Sequence, residues 1–381
     1  MANALFSSTP PKSPASGDDP LNWLRLIRSR RVGPTTFHRL IAEHGTAEAA
    51  LEALPEIARA AGVENYTPCP PAIAQAELNA GRKAGARLIR CGTPAYPAGL
   101  AEMSDAPPLL WAMGDLDLFA RPMIALVGAR NASSLGTRMA KALAASLTEA
   151  GFVVVSGLAR GIDAAAHASA LPATVAVQAG GVDVIYPSEN ADLARQIAQS
   201  GCRVSEQPMG MEPQARHFPT RNRIISGLSR AVVVVEAAAR SGSLITAKTA
   251  LDQGREVFAV PGHPFDARAG GCNILIRDGA TLVRNAADVL DAIAPDCAPQ
   301  HHAPEPPTPQ KPRATTPNPP LRQIAALHTA ILNRLGPSPV AEDQLIRDLA
   351  LPASAIAPEL LTLELEGKVQ RQPGGLLARL N

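Results

Sequence analysis

The sequence predicts an α/β protein: a doubly wound, mainly parallel sheet, with a small helical domain before it and a winged-helix domain after it. Three observations carry this. From Met123 onward, short unbroken apolar runs recur: MIALVG, FVVVSG, TVAVQAG, CRVSE, AVVVVEA, EVFAVPG and TLVR. Strands buried on both faces read this way, whereas strands with one wet face alternate. Helix-period stretches such as LGTRMAKALAASLTEAG and LITAKTALDQG separate the runs, and repeated strand–helix units build a parallel sheet. Finally, a Pro-rich break precedes a last segment patterned as three helices and a hairpin.

Taken in order, residues 1–17 are rich in Ser, Pro and Ala and are expected to form a disordered tail. Residues 18–90 read as a helical domain. DDPLNWLRLIRS has an Asp cap, a Pro at the start and apolar Leu21, Leu24 and Ile27. In RVGPTTFHRLIAEHGT, the Val-Gly-Pro turn followed by Phe37, Leu40 and Ile41 resembles half of a helix-hairpin-helix. Such a module can grip a DNA backbone through turn amides, or it can be a bundle used only for packing. TPCPP breaks the pattern before a helix over 72–85 and a short strand, ARLIRCG. Residues 91–120 read as an irregular, Pro-punctuated connector packing on the sheet domain, which spans 121–294. Residues 295–320 contain ten Pro among 26 and read as a linker. Residues 321–381 carry three helices and a wing with a Gly-Gly turn. Their six basic and six acidic residues cancel, which suits protein contact or packing better than a basic DNA-reading face.

A chain of 381 residues suggests two or three domains of roughly 100–200 residues each. With 46% hydrophobic and 18% charged residues, the composition is globular. Lys+Arg of 36 against Asp+Glu of 34 excludes a polybasic coating protein but not a local basic site. Only six of the basic residues are Lys and 30 are Arg, whose planar fork suits bidentate phosphate contacts. Five widely spaced Cys without a CxxC argue against a disulfide framework or a Cys-based zinc site, so a reduced, cytoplasmic setting is expected. No signal peptide or membrane span is apparent.

In open parallel sheets, ligands sit beyond the carboxyl ends of the strands. There the chain has Gly128-Ala129-Arg130-Asn131, Ser156-Gly157, Gly180-Gly181, and Glu236 followed by Ser241-Gly242-Ser243. LVGARNASSLG has no G-x-G-x-x-G, no acidic residue ends the second strand of the run, and no Walker motif occurs. No cofactor is therefore expected. What remains is a phosphate cradle of amides, Ser hydroxyls and Arg, with helix N-termini after Gly128, Gly157 and Gly242 aimed at an anion. The segment 213–235 holds Arg216, Arg221, Arg223 and Arg230 with no acidic residue, and His217 and Phe218 lie within it. Arginines beside an aromatic suit phosphates with a stacked base. The alternative makes Phe218 core and the arginines helix caps. Asp163 and His167, spaced i,i+4, together with Glu236 and His263, admit a metal or acid–base site. A capping Asp with a hydrogen-bonded His fits the spacing better. Ser156 lacks the G-x-S-x-G of a nucleophile elbow.

SGLARGIDAAAHASAL, GGVDVIYPSEN, SEQPMG, FPTRNRIISGLSRAVVVVEAAARSGSLITAKTALDQGREVFAVPG and GCNILIRDGA, in order, resemble the DNA-processing protein A family, DprA or Smf. The resemblance implies an extended Rossmann-like domain, a SAM/helix-hairpin-helix-like N-terminal domain and a C-terminal winged helix. It implies a non-enzymatic single-stranded DNA-binding protein of natural transformation that protects incoming strands and loads the RecA recombinase. It also implies a homodimer formed through the Rossmann-like domain. Carried onto this chain, Arg130 matches the basic residue after the first strand. Phe218, Arg221 and Arg223 match the FPxRNR motif. Ser156, Gly157, Ser241 and Gly242 match the small pocket residues, and Arg216 lies near a further basic position. The alternative is a nucleotide phosphoribohydrolase of the lysine-decarboxylase-like group, whose PGGxGTxxE motif has only GGVDVIYPSEN as counterpart here.

Overall fold

The structure is a computed structural model. It describes residues 19–293 and, further on, 327–328, 331–332, 340–349, 351–372 and 376–379. The tail over 1–17 and the linker over 295–320 lie outside the described residues. The chain forms two compact units, Met1–Pro299 and Gln300–Asn381.

The first unit begins with four helices: α1 (Pro20–Arg28), α2 (Pro34–His44), α3 (Ala47–Ala60) and α4 (Pro71–Lys83). The Asp19 carboxylate accepts the Leu21 amide at 2.9 Å and Pro20 fills the first helical position, so the start of α1 is set locally. Trp23, Leu24, Phe37, Leu40 and Leu51 form their shared core.

Nine strands follow: β1 (Arg87–Arg90), β2 (Leu109–Gly114), β3 (Met123–Gly128), β4 (Val153–Ser156), β5 (Thr174–Val177), β6 (Cys202–Ser205), β7 (Ala231–Glu236), β8 (Glu256–Ala259) and β9 (Thr281–Leu282). Eight helices alternate with them: α5 (Ala98–Ala101), α6 (Ser134–Glu149), α7 (Ile162–Ala170), α8 (Ala191–Ser200), α9 (His217–Leu228), α10 (Ser243–Asp252), α11 (Gly270–Arg277) and α12 (Ala286–Ile293). The sheet order is β1-β2-β6-β5-β4-β3-β7-β8-β9. β3 to β9 pair in parallel, and β1–β2 and β2–β6 are antiparallel. Thus β3 stands in the middle. The chain builds outward on one side through β4, β5 and β6, then crosses to add β7, β8 and β9 on the other. That reversal leaves a crevice at the carboxyl ends of β3, β4 and β7.

The unbroken apolar runs have a simple cause. Ile124, Leu126, Val154 and Val233 face one helical layer with Leu143 of α6 and Val289 of α12. Ala125, Val127, Val155 and Val234 face the other, with Ile224 of α9 and Ala247 of α10. Both faces are covered, so neither parity of position can be polar.

Within 91–120 the structure places a strand where the sequence suggested irregular connection. In β2, Leu109 joins the helical-domain core, while Leu110 and Ala112 join the sheet core. The Pro107-Pro108 pair directly before LLWAMG hides this period-2 alternation. The helical domain is also tied down by polar contacts. Arg28 donates to both Glu77 oxygens at 3.0 and 2.9 Å and to the Glu206 carbonyl at 3.2 Å, and Trp111 Nε1 donates to Glu77 at 2.8 Å.

In the second unit, β10 (Val340–Ala341), α13 (Glu342–Leu349), α14 (Ala353–Leu365), β11 (Val369–Gln372) and β12 (Leu376–Arg379) surround Leu345, Ile356, Leu360 and Leu377. The strands pair in the order β10-β12-β11. Arg371 pairs with Glu342 and Glu364, and Lys368 with Glu366. Lys368 and Arg371 are thus neutralised internally. No helix among the described residues is long and apolar enough to cross a membrane.

Candidate functional site

A cavity of about 590 Å³ opens at the crevice where the sheet order reverses. The loop after β3 supplies Arg130, α9 supplies Phe218 and Arg221, and the segment after β7 supplies Arg240, Ser241 and Gly242. Helix geometry decides which residues of the acid-free segment take part. Phe218, Arg221, Asn222 and Ile225 are spaced i, i+3, i+4, i+7 and share the face that lines the cavity. Arg223, five positions on from Phe218, is rotated roughly 140° away at 100° per residue. Its guanidinium donates to the Asp105 carbonyl at 2.7 Å and pairs with the Glu206 carboxylate.

Arg221 is buried to 5% exposure. It donates from Nη1 to the Val177 carbonyl at 2.7 Å, while its Nε has no partner among the described residues. Burial pushes its pKa down to about 10; Asp163 counters this and the Arg130 charge adds to it. Gly157 lies directly beneath. A Cβ there would stand 1.9 Å from Arg221 Nη1, so only glycine admits the guanidinium. Gly161, at φ +75°, lets the loop carrying Arg130 come close: a Cβ would meet the Ala129 carbonyl oxygen at 2.3 Å.

Asp163 and His167 serve this floor. The Asp163 carboxylate accepts the amides of Gly157 at 3.1 Å and Ala159 at 3.3 Å. Burial raises its pKa, against the pull of Arg221 and those amides. His167 Nε2 accepts the Leu158 amide at 3.3 Å, and Leu158 sits in the left-handed region at φ 56°. Thr174 Oγ1, which donates to the Val154 carbonyl, lies 2.7 Å from Nδ1. That pattern fits a neutral ring protonated on Nδ1. Burial holds its pKa down at about 3. Asp163, His167, Glu236 and His263 do not converge, and no cluster of three or more potential metal ligands occurs among the described residues.

Of the three helix N-termini expected to face an anion, two already hold one of the protein's own. Glu236 accepts the Ser133 amide at 3.0 Å and its hydroxyl at 2.9 Å at the start of α6. Asp163 occupies the amides before α7. The start of α10 is different: Gly242 caps it with no side-chain bond, and Ser241 and Ser243 hydroxyls stand 2.7 Å apart beside it. Its first amides bond locally, Ser243 to the Ser241 hydroxyl at 3.4 Å and Leu244 and Ile245 to the Ser241 and Gly242 carbonyls at 3.1 Å, but among the described residues no carboxylate holds this terminus, so its positive end is left to an external anion.

Arg130 lies over the Phe218 ring, 4.9 Å from its centroid. The described residues give neither Arg130 nor Arg240 an ion pair. The cavity therefore gathers Arg130, Phe218, Arg221, Ser241 and Gly242, with Gly157 as floor. Ser156 is buried behind it, donating to the Leu126 carbonyl at 2.6 Å. Arg216 is exposed at the start of α9, outside the lining, and Arg223 points elsewhere. Asn222, Arg240 and Arg268 line the cavity although the sequence reading did not single them out. Asn222 was legible from its i+4 spacing to Phe218 and Arg240 from its place before Ser241. Arg268 comes from the distant loop after β8 and had no local signal. It pairs with Asp266, which raises its pKa, and with Glu236 at 3.5 Å.

Comparisons with known proteins give a consistent picture. A family model described as DNA recombination-mediator protein A matches residues 87–294, a DprA-like N-terminal HHH domain matches 17–80, and a DprA winged helix domain matches 304–375. DNA processing protein DprA of Bacillus subtilis is 43% identical over 235 residues, 61% of this chain and 78% of that one. Protein Smf of Escherichia coli is 37% identical over 292 residues, 76% of each chain. The X-ray structure of DprA from Streptococcus pneumoniae superposes with a TM-score of 0.61 at 38% identity, covering 71% of this chain and 97% of that one. A DprA structure from Helicobacter pylori, described as giving insight into its single-stranded DNA binding mode, has a TM-score of 0.51 at 28% identity, covering 55% and 96%.

Proposed function

The chain belongs to the DNA recombination-mediator protein A (DprA/Smf) family, and on that premise we propose that its carboxyl-edge crevice binds single-stranded DNA. One observation carries this: a cavity with Arg130 and Arg221 side by side, a helix start that no carboxylate holds and a half-buried Phe218, where the dinucleotide and Walker motifs fail. Two like charges in one cleft are unfavourable until an anion joins them. A phosphate placed against Arg130 and Arg221, beside Ser241 and Gly242 at the positive end of α10, supplies it, and the Phe218 ring takes the adjoining base. Ser241 and Gly242 keep the backbone approach open. Gly157, Ser156, Asp163 and His167 shape the floor, and Arg223 positions α9 rather than touching the strand. Arg216 adds charge at the rim. No catalytic step is required.

Phe218→Ala is expected to weaken single-strand binding by about 1–3 kcal/mol with the fold intact. Fluorescence anisotropy with labelled oligothymidine measures it. A melting temperature that falls while affinity stays at the wild-type value contradicts the site.

The family supports two further assignments. The first is handover of the strand to RecA, tested by RecA filament assembly on strands coated with a single-strand-binding protein. The second is a homodimer through the sheet domain. β9 is an unpaired edge strand with Leu282 41% exposed, and Ile274 of α11 is 36% exposed. A dimer covering this edge satisfies it. Light scattering of Leu282→Glu should give half the wild-type mass, and an unchanged mass rejects this interface.

A further inference from the structure

Twelve aromatic residues in 381 leave few to spare. Most of those described are buried or partly buried, and two are exposed: Tyr186 at 48% and Phe265 at 94%. Both lie on loops leaving carboxyl ends of the sheet, one on each side of the cavity. Tyr186 follows β5, and its ring centroid is 5.9 Å from that of Phe218, tilted by 53°. Phe265 follows β8, stacks near His263 at 5.6 Å, and sits three residues before Arg268, which lines the cavity. A fully exposed Phe gains nothing from folding.

We propose that Tyr186 and Phe265 are outer base-stacking stations, so that a single strand runs along the carboxyl edge from one to the other. The proposal rests on the single-strand reading of the crevice and adds its path. Tyr186 and Phe218 form one paired platform, Arg130, Arg221, Arg240 and Arg268 follow the backbone across the middle, and Phe265 receives a base at the far end. From β5 to β8 there are four strand spacings, ~19 Å. That is about six nucleotides at the 3.4 Å spacing of a duplex strand, and fewer for an extended one. Charge complementarity selects a nucleic acid over an apolar protein partner, because the ground between the rings is arginine.

The test is anisotropy with oligothymidines of three and twelve nucleotides, using wild type, Phe265→Ala, Phe265→Trp and Tyr186→Ala. The alanine variants should each bind the twelve-mer roughly 5- to 150-fold more weakly, the range a lost base stack converts to. Phe265→Ala should keep wild-type affinity for the three-mer, which the central site holds alone. Phe265→Trp should bind the twelve-mer at least as well as wild type. Wild-type affinity of either alanine variant for the twelve-mer overturns the two-ended path while leaving the central site standing. Failure of the wild-type protein to bind either strand overturns the single-strand reading and the path with it. Because Phe265 is solvent-exposed, its variants should melt at the wild-type temperature, and an effect accompanied by unfolding counts against the proposal.

Discussion

Gly157→Ala is the sharpest perturbation of the proposed site, because it adds one methyl group where no DNA contact is made. The new Cβ would lie 1.9 Å from Arg221 Nη1, 2.5 Å from Cζ and 2.7 Å from Nη2. Ordinary contact begins near 3.4 Å, so the guanidinium must retreat by about 1.5 Å. That movement breaks the 2.7 Å bond to the Val177 carbonyl and lifts the charge away from Asp163. Overpacking of this kind costs about 1–3 kcal/mol of stability. Displacing the arginine from a phosphate removes a charged hydrogen bond worth about 1.5–3 kcal/mol, or roughly 10- to 150-fold in Kd. Anisotropy at several salt concentrations reads both the affinity and the slope of log K against log salt, which should fall by about 0.7 for one lost phosphate. Arg221→Ala should reproduce the effect, and the double variant should bind no worse than Arg221→Ala alone, since the clash then has no partner. Wild-type affinity in Gly157→Ala, or full additivity in the double variant, refutes the coupling of Gly157 to Arg221.

Arg223→Ala strips the Glu206 carboxylate, 12% exposed, of its ion pair and should cost about 3–5 kcal/mol of stability. Chemical denaturation checks this, and the folded fraction should retain the wild-type salt slope. His167 gives a pH signature. Its ring resists protonation until about pH 3 in the fold, against an ordinary value of 6.5. The stability it contributes is complete above that ordinary value and is lost as pH falls below it, by about 1.4 kcal/mol per pH unit. Asp163, raised by burial, works in the opposite sense in acid, so the readout is the difference between wild type and His167→Gln, which should shrink below pH 6.5. Arg130→Ala and Phe218→Ala should be coupled in a double-mutant cycle of protein stability by about 0.5–1 kcal/mol, the value of a cation–π contact near the surface.

The parallel sheet was legible because its strands are buried on both faces and therefore monotonously apolar. All seven runs from MIALVG to TLVR became strands. β2 was not legible, since a Pro pair directly precedes a six-residue strand whose two faces serve different cores. Within the site, composition picked out the segment that lines the cavity but could not sort its arginines. Arg221 and Arg223 look alike in FPTRNR, yet the turn of α9 sends one into the cavity and the other to Glu206. The start of α10, which no carboxylate holds, became distinct from the starts of α6 and α7 only when Glu236 and Asp163 were placed. Glu236 reaches the Ser133 amide only through the fold, 103 residues away in sequence, whereas Asp163 holds the amides of Gly157 and Ala159 close by in sequence, as its spacing suggested. Arg268 and Phe265 belong to a loop brought beside the crevice by β8, so no local pattern announced them.

The central claim is that one confined cationic crevice holds a single strand through phosphates and stacked bases. A salt titration of single- against double-stranded DNA binding, with the mass of each complex measured alongside, tests it most directly. Tighter binding to the single strand is expected, with a shallow slope of only a few phosphates, steeper in wild type than in Arg130→Ala combined with Arg221→Ala. Equal affinity for both forms of DNA, or a slope unchanged by removing those two arginines, contradicts it.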